Sequence, residues 1–165
     1  MHVVFDQGLL DLGAPRIVLP VQPLARALPR IYRWSGNTPI MASYLSRHPR
    51  EALFHDAAEA LLGDLNTPLK ERFPQLRVYE EEVLEKIFTG MGLAWPLPEV
   101  RQVDARLAAT ESLQFFGIKS PRAYPLAIRP WPGQEAAARF IARARELGFE
   151  VSERNPYGMA KTPNP

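Results

Sequence analysis

The sequence predicts an all-α protein. Apolar residues recur at helical spacings in several segments, glycines close many of those segments, and the 17 prolines fall mostly between them. Proline cannot continue a helix because it lacks the backbone N–H and its ring clashes with the preceding turn. The chain is therefore predicted to be a bundle of short helices.

The N-terminal third is predicted to hold a lead-in and two helices. Residues 1–20 carry short β-branched runs and are expected to form an irregular or hairpin-like lead-in. A first helix is predicted over residues 21–34, with a bend at Pro29, and a brief second helix over residues 40–47. This second helix is expected to end at His48 because a residue before proline is disfavoured in the α region.

Five further helices are predicted along the rest of the chain. The third covers residues 49–62, with Pro49 in its first turn and Gly63 as its stop. A short helical turn follows over 66–73, then two longer amphipathic helices over 75–92 and 97–117. A last helix over 134–147 precedes a strand-like segment, 148–153, and a tail, 155–165, that is expected to be mobile.

Composition excludes several classes of protein. With 165 residues, 46% of them hydrophobic, the chain is expected to form one domain over residues 1–165. No stretch is long and apolar enough for a membrane span, and the start lacks a secretory leader. A net charge of +2 is too even for a nucleic-acid groove, so no nucleic-acid polymer is expected as a partner. The absence of cysteine excludes disulfides and fits a cytoplasmic protein.

The segment LFHDAAEALLGDLNTPLK, residues 53–70, collects polar side chains in a Leu/Ala-rich run. In a regular helix, His55, Asp56 and Glu59 would share one third of the circumference, and Asp64 would follow just past the stop. A solvated polar face is the simpler interpretation. Leu62 on the same face favours an inward one, in which buried carboxylates need a cation or a hydrogen-bond network.

A second helix repeats this anomaly. In VRQVDARLAATESLQFF, Asp104 and Glu111 interrupt a stripe otherwise formed by Val100, Leu107 and Phe115. Two helices thus offer inward acids. A histidine and an aspartate on one helix, with an aspartate on another, suit a divalent ion such as Mn, Co, Mg or Zn.

The motif residues resemble those of HD-domain metal-dependent phosphohydrolases, in particular the bacterial and phage 5′-deoxynucleotidases and deoxynucleoside triphosphate triphosphohydrolases. HDAAEALLGDLNTPLK resembles the family's main motif, VDARLAATE its later segment and RIYRWSGNTP its upstream Arg-aromatic motif. The resemblance covers residues 24–117. It implies an HD-type helical bundle.

The resemblance also implies roles for individual residues. His55, Asp56 and Asp104 would bind the metal, which would activate a water molecule. Glu59 would be the general base or orient that water, and Asp64 would support it or bind the sugar. Arg33 and Lys70 would hold phosphate, and Trp34 would stack on a base unless it is simply a core aromatic. The substrate would be a nucleotide or deoxynucleotide that loses phosphate or triphosphate.

One departure from the family pattern leaves alternatives open. The family has a further metal-binding histidine on the preceding helix, and here only His48 lies between Pro39 and His55, in what should be a surface loop. In one alternative, the site is complete with one nitrogen, two carboxylates and water, which favours Mn or Mg. Alternatively, the protein is a non-catalytic nucleotide-binding or regulatory module, or the chain lacks a segment between Ser35 and Ser43. A homo-oligomer also remains open.

A third class of function needs no ligand. In an interaction protein, the inward acids would pair directly with Arg30, Arg33 or Arg106.

Overall fold

The computed structural model describes residues 38–151, which form seven α-helices and no strand. The helices, in chain order, are α1 Thr38–Leu45, α2 Pro49–Leu53, α3 Glu59–Leu62, α4 Thr67–Arg72, α5 Pro74–Gly90, α6 Pro98–Phe116 and α7 Gly133–Glu146. The all-α prediction is confirmed. Helices α1, α4, α5, α6 and α7 lie within two residues of their predicted ends.

Other predicted segments either lie outside the described residues or differ from the structure. The lead-in, the helix over 21–34 and the tail lie outside the described residues. The strand-like segment is wrong over residues 148–151, which contain no strand. Gly148 has a φ of +82° there, a left-handed conformation that interrupts an extended run.

Local sequence sets most of the helix ends. Proline occupies the first turn of α2, α4, α5 and α6, where its missing N–H has no helical partner to lose. The Asn66 side chain caps α4 by accepting a hydrogen bond from the Leu69 N–H. Gly117, with a φ of +69°, ends α6 in the left-handed conformation that glycine adopts without strain.

The predicted helix over 49–62 is wrong in its middle. Residues 54–58 form consecutive turns that separate α2 from α3. Their backbone bonds span three residues, as from the Ala57 N–H to the Phe54 carbonyl at 2.9 Å, so the chain is wound more tightly than an α-helix. The segment is also buried around most of its circumference: Phe54 and Ala57 have no exposed surface and Ala58 only 1%. The segment that breaks the predicted single amphipathic helix is thus also the segment that is packed from several sides.

The core consists of two clusters that meet at α2. Leu53 and Phe54 belong to the larger one, together with residues of α5 and α7, whereas Ala52 belongs to the smaller one, with residues of α6. The Phe54 ring makes edge-to-face contacts with Phe140 at 5.5 Å and Phe149 at 4.8 Å between centroids. The segment before His55 is therefore held on several sides.

One face of α6 fastens the proline-rich connector that precedes α7. Three side chains spaced four residues apart each bond to the connector's backbone. These bonds are Arg106 Nε to the Arg122 carbonyl, the Tyr124 N–H to Thr110 Oγ1, and a pair between the Gln114 amide and the backbone of Ile128. Such bonds satisfy backbone groups that an irregular segment leaves unpaired.

None of the helices within residues 38–151 is long and apolar enough to cross a membrane.

Truncating Phe54 should cost stability. Phe54→Ala removes a fully buried ring with two aromatic partners, so the free energy of unfolding should fall by about 3–5 kcal/mol. Phe116→Ala, at a ring that is 74% exposed, is the matched control and should change it by less than about 0.5 kcal/mol. Urea unfolding followed by circular dichroism measures both. Equal effects would contradict the position of Phe54 in the core.

Candidate functional site

The imidazole of His55 lies between two carboxylates. Its Nε2 atom is 3.1 Å from Oδ2 of Asp56 and 3.3 Å from Oδ1 of Asp104. The His55 and Asp56 side chains are 7% and 16% exposed, and that of Asp104 is 41% exposed. Thus the buried turn after α2 and the middle of α6 bring together the three side chains that the sequence marked as metal ligands.

The second ring nitrogen of His55, Nδ1, shows which tautomer the imidazole adopts. Nδ1 lies 2.7 Å from the Ala52 carbonyl oxygen, and since a carbonyl only accepts, Nδ1 carries a proton and donates it. Nε2 is buried and makes no hydrogen bond of regular geometry, although both carboxylates lie close enough to stabilise a proton on it. An unprotonated Nε2 would turn its lone pair toward two anions. This atom therefore requires a cation, which is either a proton on the ring or a metal ion.

The electrostatics around His55 favour a positive charge. Burial lowers the pKa of His55, but the negative charges of Asp56 and Asp104 raise it by more, so its pKa lies well above the ordinary value of 6.5. The two aspartates therefore favour the protonated ring over the neutral one. A metal ion and this proton would compete for the same lone pair.

The three side chains fit a divalent ion in part. Ligands about 2.1 Å from one ion stand about 3.0–3.4 Å apart in octahedral or tetrahedral geometry, and the two nitrogen–oxygen distances lie in this range. Over residues 38–151, however, no group of three or more His, Cys, Asp and Glu side chains is arranged to hold an ion. To bind an ion, one carboxylate would have to move, and Asp104 is the more exposed of the two. Water or substrate would have to supply the further ligands.

A cavity of about 570 Å³ opens beside His55. Among the described residues its wall contains five carboxylates, from Asp56, Glu59, Glu80, Glu81 and Asp104, and three permanent cations, from Lys70, Arg77 and Arg101. The wall thus contains more carboxylates than permanent cations. An anionic ligand would thus enter a wall of like charge unless a cation sits near His55.

The cations of the cavity differ in their partners. Lys70 Nζ lies 2.5 Å from Glu80 Oε2, and both side chains are mostly buried, at 18% and 14% exposure. Arg101 pairs with Glu81 at 3.3 Å and its guanidinium lies 5.1 Å from the centre of the Trp95 ring. Arg77 forms no ion pair with any carboxylate in the described part of the chain.

The remaining predicted site residues have different positions. Glu59 begins α3 and lines the cavity, beside His55 and Asp56. Asp64 is exposed and lies outside the cavity wall. Arg33 and Trp34 lie outside the described residues. His48 is exposed before α2, as predicted for a surface loop residue.

The second inward acid of α6 has a role of its own. Glu111 accepts a 2.9 Å hydrogen bond from Thr38 of α1, so it joins two helices away from the cavity. Arg106, a predicted partner for the inward acids, bonds instead to the Arg122 carbonyl and lies over the Tyr124 ring.

Sequence reasoning missed Arg77, Arg101 and Trp95 as cavity residues. Arg101 is three positions before Asp104, so it could have been placed near the site from helical spacing. Arg77 and Trp95 carried no such signal because their positions depend on how α5 and the loop after it pack.

Comparison of the chain with protein-family models, with curated proteins and with solved structures found no match. The likeness to HD-domain phosphohydrolases thus rests on the motif residues themselves.

The Lys70–Glu80 pair should be structural. Lys70→Met leaves Glu80 mostly buried without its partner and should lower the free energy of unfolding by about 3 kcal/mol. The double variant Lys70→Met, Glu80→Leu removes both charges and should recover most of that loss. Urea unfolding of the single and double variants measures the difference. No recovery in the double variant would show that the loss came from packing of the lysine stem.

Proposed function

We propose that this chain is a metal-dependent phosphohydrolase of the HD-domain type that acts on a nucleotide or deoxynucleotide. The observation that carries the proposal is the buried Nε2 of His55, which lacks a hydrogen-bond partner and faces the carboxylates of Asp56 and Asp104 beside a cavity. A nitrogen and two carboxylate oxygens form a donor set that suits Mn, Co, Mg or Zn.

The charge of the cavity supports the same proposal. Its carboxylates exceed its permanent cations, so a phosphate anion needs additional positive charge close to Asp56 and Asp104. A divalent ion held by His55, Asp56 and Asp104 would supply that charge, polarise a phosphoryl oxygen and assist the attack of water.

The chain's own residues would perform the remaining steps. Glu59 would accept the proton of the attacking water, since it lines the same cavity as His55 and Asp56. The Ala52 carbonyl holds the His55 ring in one orientation and tautomer through Nδ1. Positive charge for the phosphate would come from the cations in the wall of the cavity.

A non-catalytic nucleotide-binding or regulatory module is the second candidate. It is favoured by the lack of a ready group of three ligands within residues 38–151. The raised pKa of His55 would let the ring keep a proton where an ion would otherwise bind. In that case the two carboxylates and the imidazolium would form a structural ion-pair network.

One experiment separates the two candidates. Phosphate and triphosphate release would be measured from each deoxynucleoside mono- and triphosphate with Mn, Co, Mg and Zn in turn, beside the metal content of the purified chain. Metal-dependent release supports the hydrolase. Nucleotide binding with no release under any ion supports the non-catalytic module.

Metal binding should depend on Asp104. Asp104→Asn removes an anionic donor beside His55 and should weaken Mn binding by at least the roughly 10–100-fold typical of lost outer-shell contacts. Glu111→Gln, on the same stripe of α6 but outside the cavity, is the matched control and should bind Mn as the wild type does. Calorimetric titration with Mn measures both. An unchanged affinity in Asp104→Asn would reject Asp104 as a ligand.

Turnover should depend on Glu59. Glu59→Gln preserves the shape of the side chain and removes the base, so turnover should fall by about 10²–10⁴-fold while the metal remains bound. Metal content and single-turnover phosphate release would be measured for wild type and variant. Loss of metal together with activity would make Glu59 a ligand, and activity within a few-fold of wild type would remove it from the mechanism.

A further inference from the structure

The wall of the cavity has a cation that the motif residues do not include. Arg77 lies on α5, one turn before Glu80 and Glu81, and it lines the same cavity as His55 and Asp104. Glu80 pairs with Lys70 and Glu81 pairs with Arg101. Both nearby carboxylates are therefore already engaged, and Arg77 has no carboxylate partner among residues 38–151.

The three cavity cations would bind an anion at different cost. At Lys70, an incoming phosphate would have to displace Glu80 or share the lysine with it, and a mostly buried Glu80 would then face a second anion. At Arg101 the phosphate would compete with Glu81 in a more exposed pair. At Arg77 no ion pair with a residue of the range 38–151 has to break.

The chemistry of the guanidinium points the same way. Its planar fork can donate two parallel hydrogen bonds to two oxygens of one phosphate, whereas the lysine ammonium acts as a point charge.

We propose that Arg77 is the residue that holds the phosphate group of the substrate, and that Lys70 instead holds Glu80 and the junction of α4 with α5. The proposal rests on the proposed function for the identity of the substrate as a phosphate ester. Its own claim, a phosphate-binding residue on α5, depends only on the partners of the three cations.

Inorganic phosphate is the probe for this claim. The full chain would be titrated with it calorimetrically in the presence of Mn, and again without metal. Arg77→Gln should weaken phosphate binding by about tenfold or more, as expected for the loss of charge-assisted hydrogen bonds. Arg77→Lys keeps the charge but not the fork and should give an intermediate affinity.

A matched control is available on the neighbouring helix. Arg72 lies in the last turn of α4, is exposed and does not line the cavity. Arg72→Gln makes the same change in net charge and should leave phosphate affinity unchanged. If Arg72→Gln weakens binding as much as Arg77→Gln, the effect is one of overall charge and the proposal is overturned.

The remaining outcomes distinguish this inference from the proposed function. Unchanged phosphate affinity in Arg77→Gln, or no measurable phosphate binding by the wild type, overturns the inference even if the enzyme hydrolyses nucleotides. Binding that depends on Arg77 in a chain that releases no phosphate from any nucleotide supports the inference and rejects the hydrolase. If hydrolysis is found, Arg77→Gln should raise KM by about tenfold with a smaller change in kcat.

Discussion

Burial of the segment from Ala52 to Ala58 is the constraint on which the packing and the site both depend. Ala52 contacts the smaller cluster of the core and Phe54 the larger one, so this short stretch joins them. The Phe54 ring packs against Phe140 and Phe149. Because His55 follows directly, its ring cannot move far without opening the core, and the position of Nε2 is fixed by packing.

Fixing His55 in this place has an electrostatic consequence. The ring is taken out of water, its Nδ1 donates to a backbone carbonyl, and its Nε2 faces two carboxylates. Desolvation disfavours charge, whereas the two aspartates favour a positive one. A proton satisfies the site electrostatically, and so would a divalent ion. The same three side chains are therefore compatible with a structural ion-pair network and, if a carboxylate moves and further ligands are added, with a metal centre.

The role open to each charged residue, in the cavity or near it, depends on the side chains with which that residue already interacts. Asp104 and Glu111 lie on one stripe of α6, yet Asp104 faces His55 and Glu111 accepts a hydrogen bond from Thr38. Lys70 and Arg77 line one cavity, yet only Lys70 has a buried carboxylate against it. An ionised group that is already paired offers less net attraction to a ligand than an unpaired one. Charge type and position alone do not reveal this difference.

From the sequence alone one can predict the class of the fold, most helix ends and a candidate group formed by His55, Asp56 and Asp104. Proline, glycine and the spacing of apolar residues act over a few neighbours, so the ends of α4, α5 and α6 could be predicted closely. The stripe that carries Asp104 also follows from helical periodicity.

Tertiary packing sets three further features: the turns over residues 54–58, the pairing of Lys70 with Glu80 and the place of Arg77 in the cavity. The turns occur where residues 54–58 are packed from several sides, and this packing overrides the periodic pattern. The Lys70–Glu80 pair joins side chains of two different helices. Asp64 lies outside the cavity although it follows α3 closely. Such contacts depend on how helices pack against one another, and local spacing carries no information about that packing.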